Sequence, residues 1–84
     1  MKELILGTNL KMFMNFAQTR SYISRLNELT GKLNHEQLRL FVIPSFTAIP
    51  GIRTMDETVK IEIGAQNMHW EEQGEYTGEI SPRM

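Results

Sequence analysis

The sequence predicts an α/β fold with a parallel sheet, and three observations carry that expectation. Leu4-Ile5-Leu6, closed by Gly7, and Leu38-Arg-Leu-Phe-Val-Ile43, stopped by Pro44, are short and largely apolar runs. Parallel strands buried on both faces look like this, whereas a half-solvated strand alternates. Between the two runs, Tyr22, Ile23, Leu26 and Leu29 recur at helical spacing, with Arg20, Arg25, Asn27 and Glu28 facing out. After them Val59, Ile61 and Ile63 alternate with Lys60 and Glu62 as a third strand. Strand, helix, strand, short helix and strand in about 65 residues make two successive βαβ units, which fold right-handed and parallel.

Local signals place the boundaries. Asn15 or Thr19 is a candidate cap for the first helix, and Gly31 is well placed to end it. Lys32 to Glu36 is a polar connection in which His35 is expected to be solvated. Ser45-Phe46-Thr47 is the loop after the second strand. Thr47 there is a candidate cap for a short helix with Pro50 in its first turn, ending near Met55 or Asp56. Gly64 and Ala65 then let the chain turn out of the third strand into a long loop, from Gln66 to about Gly78, without helical or strand period. Loops of that length are functional or disordered. Met68, Trp70 and Tyr76 argue against disorder, because disordered segments lack bulky aromatics, and point to an interface or active-site element; a self-packed surface loop is the plainer alternative.

Composition narrows the function classes. Nine basic and ten acidic residues leave a net charge of −1, so no long-range field draws the chain to nucleic acid or a membrane. The absence of cysteine excludes a disulfide scaffold and thiolate metal sites. No apolar run approaches the ~20 residues of a spanning helix, and a cytoplasmic location is the expectation. The six methionines are expected as core filler. No dinucleotide-binding or phosphate-cradling glycine motif occurs, and no cofactor is expected. His69 lies near Glu71 and Glu72 but lacks a second histidine at ligand spacing; a loop histidine beside solvated glutamates is expected, not a metal site.

The candidate chemistry lies where the first strand ends. In α/β proteins the loops at the carboxyl ends of strands carry the reacting groups. Asn9 and Lys11 stand there, an amide and an ammonium two residues apart, which in extended backbone point to one side and face one ligand. By itself Asn-x-Lys is common, and a solvated surface lysine is the plainer reading.

Gly64-Ala-Gln-Asn67, then Trp70-Glu-Glu-Gln-Gly74, then Tyr76-Thr-Gly-Glu-Ile-Ser-Pro82 closely resembles the third strand and loop of triosephosphate isomerases. Asn9-Leu10-Lys11-Met12 is similar to that family's Asn-Trp-Lys-Met motif. The chain aligns in order with the family's first three strands and two helices, and Ser81-Pro82 would open a third helix. The resemblance implies an eight-stranded (β/α) barrel of roughly 250 residues, of which this chain is the N-terminal part of one domain. It implies interconversion of dihydroxyacetone phosphate and glyceraldehyde 3-phosphate through an enediolate. Triosephosphate isomerase is itself the standard instance of a glutamate base and a neutral histidine electrophile under a closing loop, and both residues lie later than this sequence reaches.

By the same resemblance Lys11 and Asn9 are the catalytic and substrate-binding residues, supplying a cation and a hydrogen-bond donor to the substrate. The third loop implies a homodimer: Thr77, flanked by Gly78 and Glu79, would enter a pocket of the second subunit, with Gln66 and Asn67 bracing the loop base. Leu10 in place of the usual tryptophan, and Pro44-Ser45 in place of a common Pro-Pro, mark a divergent branch. A related tetrose phosphate is therefore an alternative substrate. A non-catalytic βαβ module that binds a partner protein through its Trp70/Tyr76 loop is the alternative from another class.

Overall fold

A computed structural model describes residues 2–55 and 58–84. Its elements are β1 (Leu4–Asn9), α1 (Phe16–Thr30), β2 (Leu38–Ile43), a 3-10 turn at Phe46–Ala48, α2 (Ile49–Ile52) and β3 (Glu62–Ile63). The strands form one parallel sheet in the order β1-β2-β3. Leu4 pairs with Leu38 and Asn9 with Ile43, while Phe41 pairs with Glu62. The expected parallel α/β arrangement is therefore present.

One face of the sheet is covered. Leu40 and Val42 of β2 pack with Ile23 of α1, Ala48, Ile52 of α2, and Ile61 just before β3. Tyr22, Leu26, Met14 and Met55 pack around this cluster. Leu29 was expected in it but is exposed, because it lies beyond the width of the buried stripe. Asn27, expected to face out, turns in: its Oδ1 accepts from the Lys60 N–H at 2.9 Å and its Nδ2 donates to the Thr58 carbonyl at 3.3 Å. The helix thus fixes the approach to β3.

Asn15 is the cap of α1, in a reciprocal pair: its side chain accepts from the Gln18 N–H at 2.9 Å, and the Gln18 side chain accepts from the Asn15 N–H at 3.0 Å. Thr19 is instead buried inside the first turns, its hydroxyl donating to the Asn15 carbonyl at 2.7 Å. Thr47 likewise does not cap; it lies within the 3-10 turn, and Ser45 holds the position before it. Pro50 falls in the first turn of α2 as expected. That helix ends at Ile52, short of Met55, and Asp56 lies outside the described residues.

The opposite face is open, and here the sequence reading is corrected. Leu4, Ile5 and Leu6 were expected to be buried on both sides, yet each is about half exposed because β1 is an edge strand. Phe41 lies across Gly7 on this face; a β-carbon at Gly7 would collide with its ring. Arg39, also on β2, bonds Glu62 through Nε–Oε2 at 3.0 Å and Nη2–Oε1 at 2.8 Å, and reaches Glu3 at 3.4 Å. Hydrogen bonding to Arg39 holds the Glu62 carboxyl below the ordinary carboxylate range, and the same carboxylate raises the guanidinium still further.

Two further expectations change. His35 is half-buried, with Nε2 placed 2.9 Å from the Thr30 carbonyl oxygen, to which it can only donate. Met12, Met68 and Met84 are exposed and fill no core. Ser81–Met84, expected to open a third helix, forms one turn, closed by the Met84 N–H on the Ser81 carbonyl at 3.1 Å.

Candidate functional site at the carboxyl ends of the strands

The three loops that leave the sheet meet around the backbone of Lys11. The parallel ladder runs one residue past β1, with the Leu10 N–H donating to the Ile43 carbonyl at 3.0 Å. The Leu10 side chain drops into the core. The chain then turns sharply, since Lys11 has φ +56° and is the one non-glycine residue with positive φ among those described. That conformation costs a lysine about 1–3 kcal/mol and persists only where the surroundings impose it.

Those surroundings are identifiable. Asn9 Oδ1 accepts from the Lys11 N–H at 2.9 Å, an Asx turn across the residue between them. Gln66 Nε2, arriving from the third loop, donates to the Lys11 carbonyl at 2.8 Å and to the Ile43 carbonyl at 3.2 Å. Ser45 Oγ, in the second loop, donates to the Lys11 carbonyl at 3.3 Å. The Lys11 peptide is therefore held at both ends by side chains from three loops.

The two candidate catalytic residues come together, but not as extended backbone would place them. Asn9 and Lys11 are both exposed, with the Asn9 carboxamide oxygen committed to the turn. Its N–H groups are the part left to meet a ligand. Among the described residues the Lys11 ammonium forms no ion pair. An amide donor and an uncompensated cation on a fixed turn suit an anionic, oxygen-rich ligand.

Gln66 was expected to brace the base of the third loop; it reaches instead across the strand ends to the lysine. Sequence reasoning missed this bond, which spans 55 positions. The one available signal was a carboxamide three residues past the last strand. Asn67 does serve its own loop, its Oδ1 accepting from the Met68 N–H at 2.8 Å.

The third loop folds on itself. The His69 N–H donates to the Ile80 carbonyl at 2.8 Å, closing the neck. The His69 ring stacks on Trp70 and tilts against Tyr76, with centroids 4.2 Å away in each case. His69 is thus buried, correcting the solvated loop histidine expected from sequence; Trp70 stays largely exposed. The tip carries Thr77, Gly78 and Glu79, all exposed. Gly78, at φ +84° with open space around it, makes the turn that the Glu79 N–H closes on Tyr76 at 3.1 Å. Among the described residues no three histidine or acidic side chains gather as a metal site, and no helix is long and apolar enough to cross a membrane.

Parallel strands joined through helices, with polar groups gathered at the strand carboxyl ends, place the chain in the parallel β/α class. The chain belongs to the triosephosphate isomerase family, whose profile matches residues 4–84. A triosephosphate isomerase of Dictyoglomus turgidum is 39% identical over the whole chain, and one of a Synechococcus strain is also 39% identical. An L-erythrulose-1-phosphate isomerase of Rhizobium rhizogenes is 37% identical over 94% of the chain. The chain spans about a third of the length of these curated relatives, with 33%, 34% and 30% of each covered.

Proposed function

We propose that the protein carrying this chain is a triosephosphate isomerase, interconverting dihydroxyacetone phosphate and D-glyceraldehyde 3-phosphate through an enediolate. The observation that carries this reading is the Lys11 turn, a cation held at the strand ends in backbone that lysine does not adopt unaided. Lys11 supplies positive charge to the phosphate and to the oxygen that gains charge in the transition state. Asn9 donates from its amide and fixes the substrate's orientation. The general base and the electrophile come from outside this chain, which alone does not turn over substrate. It forms the N-terminal part of one barrel, and a cytoplasmic place in glycolysis and gluconeogenesis accompanies the reading.

The second reading is an isomerase of a tetrose phosphate, favoured by the similarity to L-erythrulose-1-phosphate isomerases. Leu10 does not strengthen it, because that side chain lies in the core and not over the strand ends. Assembly as a homodimer through the tip of the third loop belongs to either reading; the closed neck and exposed Thr77 support it.

Turnover of triose and tetrose phosphates by the full-length protein is the test. A higher kcat/KM on triose phosphate supports the first reading, and Lys11→Met is expected to lower it by about a hundredfold or more. A preference for tetrose phosphate replaces it with the second. Unchanged kinetics in Lys11→Met would remove the lysine from the mechanism.

A further inference from the structure

We infer that Ser45 is a positioning residue for Lys11, holding the lysine's carbonyl from the second loop. Three observations converge on it. Ser45 stands at the cap position of the 3-10 turn, in extended backbone (φ −61°, ψ 150°), where serine ordinarily bonds an N–H of the following turn. It makes no such bond. Its hydroxyl is turned back instead and donates to the Lys11 carbonyl, 34 positions earlier, at 3.3 Å.

The backbone that presents this hydroxyl is itself fixed. Pro44, immediately before, is fully buried, and the Ser45 carbonyl accepts from the Ala48 N–H at 3.0 Å. The receiving carbonyl already takes Gln66 Nε2 at 2.8 Å. Two donors satisfy both lone pairs of a carbonyl oxygen. They come from different loops, so the plane of the peptide after Lys11 is defined from two directions, while Asn9 holds the peptide before it. The Ser45 bond is the longer and weaker of the two, so the expected effect is moderate. A proline at this position has no side-chain donor and leaves the carbonyl to Gln66 alone.

The effect on turnover rests on the proposed role of Lys11, whereas the effect on backbone geometry does not. The test therefore reads both in the full-length protein, through the backbone carbon resonances of Lys11 and through steady-state kinetics. Ser45→Ala is expected to move the Lys11 Cα and carbonyl resonances and to lower kcat/KM by about threefold to tenfold, the consequence of one lost hydrogen bond. Ser45→Thr, which restores a hydroxyl, is expected to return both to wild type, a rescue that a merely structural role would not give. Should Ser45→Ala fail to fold, Ser45→Cys removes the strong donor at nearly constant shape and is read in the same way. Lys11 resonances that do not move overturn the inference, whatever the rates do. Resonances that move while kcat/KM stays unchanged uphold the positioning and overturn the catalytic reading of Lys11.

Discussion

The two faces of this sheet differ in how much of their surroundings the chain itself supplies. On the helix side, Ile23, Leu40, Val42, Ala48, Ile52 and Ile61 close a core from residues of both βαβ units. On the other side, Ile5, Phe41 and the Arg39–Glu62 pair have no covering layer among the described residues, and β1 and β3 each present an edge. The strand-end loops belong to neither face. They are tied to one another through Lys11, with their polar groups outward. The difference teaches that the helix-side core is supplied by the two βαβ units themselves, whereas the open face is left for contacts that these residues do not make. The candidate site sits on the rim between them.

The comparison can be broken at its strongest point first. Ile23 is fully buried on the covered face, and Ile23→Ala is expected to cost about 2–5 kcal/mol in urea unfolding of the full-length protein. The folded fraction is expected to keep its affinity for a phosphorylated ligand, because Ile23 makes no part of the Lys11 turn. A small loss of stability would mean that the helix side is not the core.

Thr77 tests the rim. It is exposed at the tip of a loop that folds on itself, so Thr77→Arg is expected to leave the melting temperature of the protomer nearly unchanged. Sedimentation of the full-length variant is expected to show weakly active monomers in place of dimers. An unchanged dimer removes that tip from the interface.

The smallest effect is expected on the open face. Glu62 is held below the ordinary carboxylate range by its bonds to Arg39. A group whose folded pKa is depressed adds stability above its unfolded pKa and loses it as the pH falls through the folded one. The stability difference between wild type and Glu62→Gln is therefore expected to be largest at neutral pH and to shrink below about pH 4.5, the ordinary value for this group. A difference that grows on acidification contradicts the pairing.

Much of the frame was legible in the sequence because its causes are local. The apolar runs gave β1 and β2, the helical period gave α1, and Asn15 was among the caps named for it. The exposure of β1 was not legible, since continuous apolar character says that a strand can be buried on both faces and not which neighbours cover it. Leu29 fell outside the core for a related reason: helical period gives a stripe, and packing decides its width.

At the candidate site, the sequence places Asn9 and Lys11 where the first strand ends, and the structure finds them there. Their geometry was not legible, because nothing in a lysine's identity announces positive φ. Gln66 and Ser45 acquire their partners through contacts across 55 and 34 positions, which no local pattern records. His69 shows the same limit within one loop, where ring stacking buries a residue that the polar surroundings in sequence leave looking solvated.

The central claim is that Lys11 and Asn9 together grip an anionic sugar phosphate. A crystal structure of the full-length protein with a phosphorylated enediolate analogue tests it most directly. The account predicts oxygen atoms of the inhibitor at about 2.7–3.2 Å from Lys11 Nζ and from Asn9 Nδ2, with the Lys11 turn retained. An inhibitor bound elsewhere, with both side chains left in solvent, would contradict it.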